Sequence, residues 1–112
     1  MKFTGPFEER DWKYLSSLRE EFVETFCRRA NLELIEILQR SDISENERRL
    51  EARRVAKDRD SEFRDLFGDW RRSTMEAQVL FFRRYGLLTD TQMLQLSPKA
   101  SEYVRQHFGA EQ

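Results

Sequence analysis

Within 112 residues there is room for one domain, 1–112, and a modest core. Charged residues make up 37 % and hydrophobic ones 38 %, with 4 glycines and 2 prolines, which argues against a sandwich or barrel and for long exposed helices. The net charge of -1 excludes a global field that would draw the chain to nucleic acid or an anionic membrane.

The lone Cys27 excludes an internal disulfide framework and fits a reducing compartment. No apolar run has signal-peptide or membrane-spanning length, so the expected setting is cytoplasmic, without membrane insertion.

Met1 to Pro6 carries a Gly-Pro turn signal and reads as a lead-in, with Phe3 and Phe7 available to dock on a neighbour. The first helix is predicted over 7–40, with Glu8, Glu9 and Asp11 at the positive end of its dipole. Trp12, Leu15, Leu18, Phe22, Phe26 and Ala30 form its seam. Leu34, Ile35, Ile37 and Leu38 then make the last turns apolar over a wide arc, and such an end needs a second partner.

Ser44-Glu45-Asn46-Glu47 is a capping box, so a second helix starts at Ser44. Nothing breaks it before Gly68 and nothing stops it before Gly86. A helix over 44–85 would be roughly 60 Å long at 1.5 Å per residue, so either it breaks near Asp58 or Gly68 or it projects and finds cover in another chain. Phe63, Leu66, Phe67, Trp70, Thr74, Ala77, Phe81 and Tyr85 recur at steps of three and four and would share one face, which Leu80 and Phe82 widen toward the end of the helix. Glu45 to Glu62 is different. Its apolar residues are sparse, chiefly Leu50, Ala52, Val55 and Ala56, and it reads as a solvated arm or a thin dimer seam.

Thr89-Asp90-Thr91-Gln92 is a second capping box and opens a short helix over 89–96. Ser97-Pro98 restarts the chain as cap and first helical residue of a last helix over 98–108, ending at Gly109. The expected fold is all-α: two long helices plus two short C-terminal ones, a hairpin or bundle completed by dimerisation.

Little in the chain carries catalytic chemistry. Asp58, Glu62, Asp65 and Asp69 form a carboxylate row, but no Glu-x-x-His partner accompanies it, and Lys57, Arg59 and Arg64 are placed to neutralise it. His107 and Cys27 are each single, and there is no glycine-rich phosphate loop. The expectation is a non-enzyme with no metal and no cofactor. Arginine doublets at Arg28-Arg29, Arg48-Arg49, Arg53-Arg54, Arg71-Arg72 and Arg83-Arg84 suit bidentate contacts to phosphate or carboxylate. Neighbouring residues on a helix diverge by about 100°, so no doublet makes one flat patch.

The segment with Asp65, Asp69, Arg71 and Ser73, followed by Gly86-Leu87-Leu88 and then Leu96, resembles the C-terminal half of the fluorescence recovery protein family of cyanobacteria. Those proteins are small all-helical dimers that act without catalysis, by binding the orange carotenoid protein and speeding its return to the resting form. The resemblance implies paired long helices with a small helical head. It does not carry over the partner, because the family's upstream Trp, Asp and Arg on the binding helix are replaced here by the Arg/Glu run from Glu47 to Arg54. The chain is also similar to short bacterial proteins with an Arg-Arg-Ser-Thr segment in a long helix.

The functional expectation is therefore a regulatory protein that binds another protein and acts as a homodimer. The alternative is a nucleic-acid-binding accessory protein that uses the arginine doublets. The candidate interaction surface is Arg48, Arg49, Arg53, Arg54, Asp65, Asp69, Trp70, Arg71 and Arg72. The candidate dimer seam is Leu15, Leu18, Phe22, Leu50 and Val55.

Overall fold

The computed structural model describes residues 5–108; the lead-in with Phe3 and the stop at Gly109 lie outside them. Five helices occur in order: α1 (Glu9–Leu38), α2 (Glu45–Phe67), α3 (Met75–Arg84), α4 (Asp90–Met93) and α5 (Pro98–Phe108). No strand occurs among the described residues. The two long helices pack together as a hairpin, and the shorter C-terminal helices gather at one end of it.

The long helix expected over 44–85 is not continuous. At Gly68 the backbone turns extended, with φ -74° and ψ 147°, and a Cβ there would sit 2.7 Å from the carbonyl oxygen of Arg64. Only glycine lets the chain turn away so close to the last helical carbonyl. Asp69 then takes a left-handed φ of 52°, a conformation in which Asp is enriched, and the chain re-enters helix at Met75.

The break resets the helical phase. Ala77 and Phe81, expected on the buried face, are exposed and half-buried, while Met75, Gln78, Val79 and Phe82 point inward. The stop at Gly86 is a Schellman motif. Gly86 has φ 70°, Leu87 N–H donates to Phe82 O at 2.9 Å, and Gly86 N–H donates to Arg83 O at 3.1 Å. The two capping boxes form as their spacing suggests: Ser44 with Glu47 opens α2 and Thr89 with Gln92 opens α4.

The core sits where α3, α4 and α5 cover the first half of α1 and the end of α2. Phe7, Leu15, Phe22, Phe26, Leu66, Phe67, Met75, Val79, Phe82, Leu87, Leu88, Met93, Leu96, Ala100 and Val104 form one buried cluster. Its centre is aromatic: Phe82 lies 5.1 Å from Phe22 and 5.9 Å from Phe67, ring centre to ring centre.

Beyond Phe26 and Phe63 the hairpin runs on with only Val55 buried, as an arm without a third layer. The result is long: 54 × 27 × 21 Å, with a radius of gyration of 16.8 Å, against about 13 Å for a compact chain of this length.

One buried polar group locks the head to α1 and a second braces the head internally. Asp11 is fully buried, and its carboxylate accepts the Ser97 N–H at 2.7 Å, the Ser97 hydroxyl at 2.6 Å and the Glu8 N–H at 2.9 Å. It thereby caps α1 and holds the entry to α5. Arg83, buried as well, donates to Leu88 O at 2.7 Å and to the Asp90 carboxylate.

Asp11→Ala leaves the Ser97 donors unmatched and is expected to cost roughly 3 kcal/mol. Urea unfolding would show this as a lower midpoint at unchanged slope. A loss below about 1 kcal/mol would mean that water replaces the carboxylate.

Candidate functional site

The expected interaction residues do not converge. Arg48, Arg49, Arg53 and Arg54 lie near the tip of the arm, and Asp69 to Arg72 lie in the loop after α2, roughly 30 Å away along the helix at 1.5 Å per residue.

At the tip, Arg48 closes the hairpin turn by donating to Ile43 O at 3.0 Å, to Arg40 O and to Glu45. Arg49 donates to Asn46 Oδ1 at 2.9 Å. Arg54 sits between Glu51 and Asp58, 3.1 Å from the latter. Arg53 is exposed with no partner among the described residues.

At the other end, Asp69 pairs with Arg71 at 2.7 Å, and Arg72 donates to Glu9 at 2.9 Å. Asp65 is exposed near the end of α2. Arg29, Arg48, Arg49, Arg54, Arg71, Arg72 and Arg83 answer groups of the same chain. Arg29, for instance, donates to Tyr85 O at 2.7 Å and closes the C-terminal end of α3. Arg28, Arg53 and Arg84 are the doublet members left without a hydrogen-bond or ion-pair partner among the described residues, and they lie on different helices.

Trp70 is a packing residue. Its ring stacks on Trp12 with centres 4.8 Å apart and planes 12° from parallel, its Nε1–H donates to Ser16 Oγ at 3.0 Å, and Arg72 lies over the outer face of Trp12 at 5.1 Å. Both faces of the tryptophan pair are in use, which leaves no open platform for a ligand ring.

The expected seam is divided as well. Leu15, Phe22 and Val55 are buried inside the chain, so they cannot meet a second copy; their apolar spacing recorded an intrachain contact. Leu18 is half-buried against the core and Leu50 is 47 % exposed. Most of the exposed large apolar side chains belong to the arm, where Leu32, Ile35 and Leu38 are 58, 48 and 54 % exposed, while Leu94 in the head is 73 % exposed. The apolar arc of the last turns of α1 pointed to this exposed surface.

Three of the four carboxylates in the row meet cations, and Asp65 has no ion-pair partner among the described residues. Asp58 pairs with Arg54, and Glu62 pairs with Arg59 at 2.9 Å. Among the described residues no three His, Cys, Asp or Glu side chains gather as a metal site would require. Cys27 is half-buried and His107 meets Tyr103 O through Nδ1 at 2.8 Å. No described helix is long and apolar enough to cross a membrane.

Where the arm meets the head, Arg59 bridges Glu33 at 2.8 Å and Glu62, in a cleft that Phe26, Arg29 and Tyr85 also line. The guanidinium holds the Glu33 carboxyl below its ordinary range, with hydrogen bonding the largest cause and burial opposing it. Comparison of the chain with protein-family models, curated proteins and solved structures returns no significant match. The likeness to the fluorescence recovery protein family therefore rests on the residues quoted for it.

Trp70→Ala is expected to cost roughly 3 kcal/mol and to abolish the exciton-coupled circular dichroism of the tryptophan pair; intact stability and signal would place Trp70 outside the packing scheme. Glu33 has a depressed folded pKa, so its contribution is present above the ordinary glutamate range and lost as pH falls through the folded value. Glu33→Gln should accordingly flatten part of the stability loss between about pH 6 and pH 3, read as urea midpoints. An unchanged pH profile would show that the ion pair adds nothing.

Proposed function

We propose that this chain is a non-enzymatic, regulatory protein-protein interaction module that acts as a homodimer, with the arm as its contact surface. One observation carries the reading: the last turns of α1 are apolar over a wide arc, and beyond the core only α2 covers them. An arc wider than one neighbouring helix can cover is stable when a second neighbour closes it. Clustered exposed leucines on an otherwise highly charged chain mark an association surface. Most of the arginines in the doublets answer carboxylates or carbonyl groups of the same chain, which gives the nucleic-acid alternative less support.

Light scattering over a dilution series tests the reading. The wild type should show twice the 13.6 kDa chain mass. Replacing Ile35 and Leu38 together by Asp should give the single-chain mass at the same concentrations, with helix content unchanged by circular dichroism. A wild type with the mass of one chain throughout would overturn the dimer.

A further inference from the structure

We propose that the outer face of α2 is a basic stripe that docks an acidic helix of a partner protein. The inference deepens the protein-binding reading by naming this face and the partner's chemistry, and it does not rest on the homodimer.

The charges of α2 are sorted by side. Val55, Arg59 and Phe63 are turned to α1: Val55 is buried, Phe63 packs level with Phe26 with ring centres 6.0 Å apart, and Arg59 is level with Glu33 at 2.8 Å. Projected at 100° per residue, Glu47, Glu51, Asp58, Glu62 and Asp65 fall within an arc of about 60°, on the side of the cleft between arm and head, which Glu62 lines. Arg49, Arg53, Lys57 and Arg64 fall within an arc of about 80° turned away from both that cleft and α1. All four are exposed.

The two sides also differ in how their charges are met. Glu47 caps the helix with Ser44, Glu51 and Asp58 pair with Arg54, and Glu62 pairs with Arg59. On the basic side Arg49 reaches only the neutral Asn46, at 2.9 Å. Arg53, Lys57 and Arg64 have no hydrogen-bond or ion-pair partner among the described residues.

Arg49, Arg53 and Lys57 follow one another at steps of four, the spacing at which like charges repel along a helix. A surface shaped for solvation alone would gain by alternating the signs there, as Arg54 and Asp58 do. A row of carboxylates from outside removes the repulsion and gives each cation its counter-charge.

The occupant is identified by shape and by two departures from pure positive charge. From Arg49 to Arg64 the stripe follows one helix for roughly 22 Å at 1.5 Å per residue, a line that a second helix with carboxylates at three- and four-residue steps can match. Asp60, exposed and without a partner among the described residues, lies inside the stripe. It repels a phosphate chain, whereas a protein can set a lysine or arginine against it. Leu50, 47 % exposed, borders the stripe and offers an apolar contact that a phosphate backbone leaves unused.

Fluorescence anisotropy tests the docking with a labelled alanine-based helical peptide that carries glutamate at every fourth residue and one leucine beside them. Glutamine in place of glutamate gives the neutral control, and a short DNA duplex gives the other polyanion. The wild type should bind the glutamate peptide, more weakly as salt rises, and the neutral peptide at least about tenfold less tightly. Arg53→Glu combined with Lys57→Glu should raise the peptide dissociation constant about tenfold or more. Lys13→Glu combined with Lys99→Glu, the same change of net charge outside the stripe, should leave it within about twofold. Circular dichroism checks that both variants stay helical.

Equal affinity for the two peptides, an unchanged constant in the Arg53 and Lys57 variant, or an equal loss in the Lys13 and Lys99 variant overturns the stripe as a docking face. Duplex bound as tightly as the peptide would make it a nucleic-acid surface instead, and a lower light-scattering mass in the Arg53 and Lys57 variant would make the occupant a second copy. The mass of the wild type decides the homodimer separately.

Discussion

The carboxylate of Asp11 is the constraint on which the head depends. It joins residues 86 apart in sequence, receives three donors in a dry position, and supplies negative charge where α5 exposes its first N–H groups. Without that anchor α5 would be held by its apolar face and by the Tyr103 hydroxyl, which donates to Glu76 at 2.5 Å. With it, the start of α1 and the start of α5 share one cap. The aromatic cluster around Phe82 then closes between two fixed elements.

Much of this fold could be read locally, and the failures have a common cause. Ser44 with Glu47, Thr89 with Gln92, and the stop at Gly86 are set by residues within a few positions of one another, so their spacing announced them. The buried face of α3 could not be read by carrying the phase of α2 forward, because the segment from Gly68 to Thr74 interrupts the helix and α3 restarts in a different rotation. In sequence Arg83 stood out as half of an arginine doublet. Its buried role depends on Leu88 and Asp90, which fold back over it after the Schellman turn.

The candidate site was legible only in part for a related reason. An apolar seam has the same spacing whether its partner is another helix of the same chain or of another copy. Leu15, Phe22 and Val55 were therefore indistinguishable in sequence from residues that would meet a second molecule. Arginine is equally ambiguous, since its pairing with a nearby acid, as in Arg54 with Glu51 and Asp58, or with a distant carbonyl, as in Arg29 with Tyr85, depends on geometry. The wide apolar arc at the end of α1 was the informative signal, because one neighbouring helix could not cover it.

The level pairing of Phe26 with Phe63 and Glu33 with Arg59 also governs how the arm could change over evolutionary time. Extending one helix alone would shift every later contact around the other. Matched insertions of seven residues in both helices come near to preserving phase and register, and lengthen the arm by about 10 Å. A change in the arm's length is thus expected to come in steps of seven residues, while the head at its base stays the same.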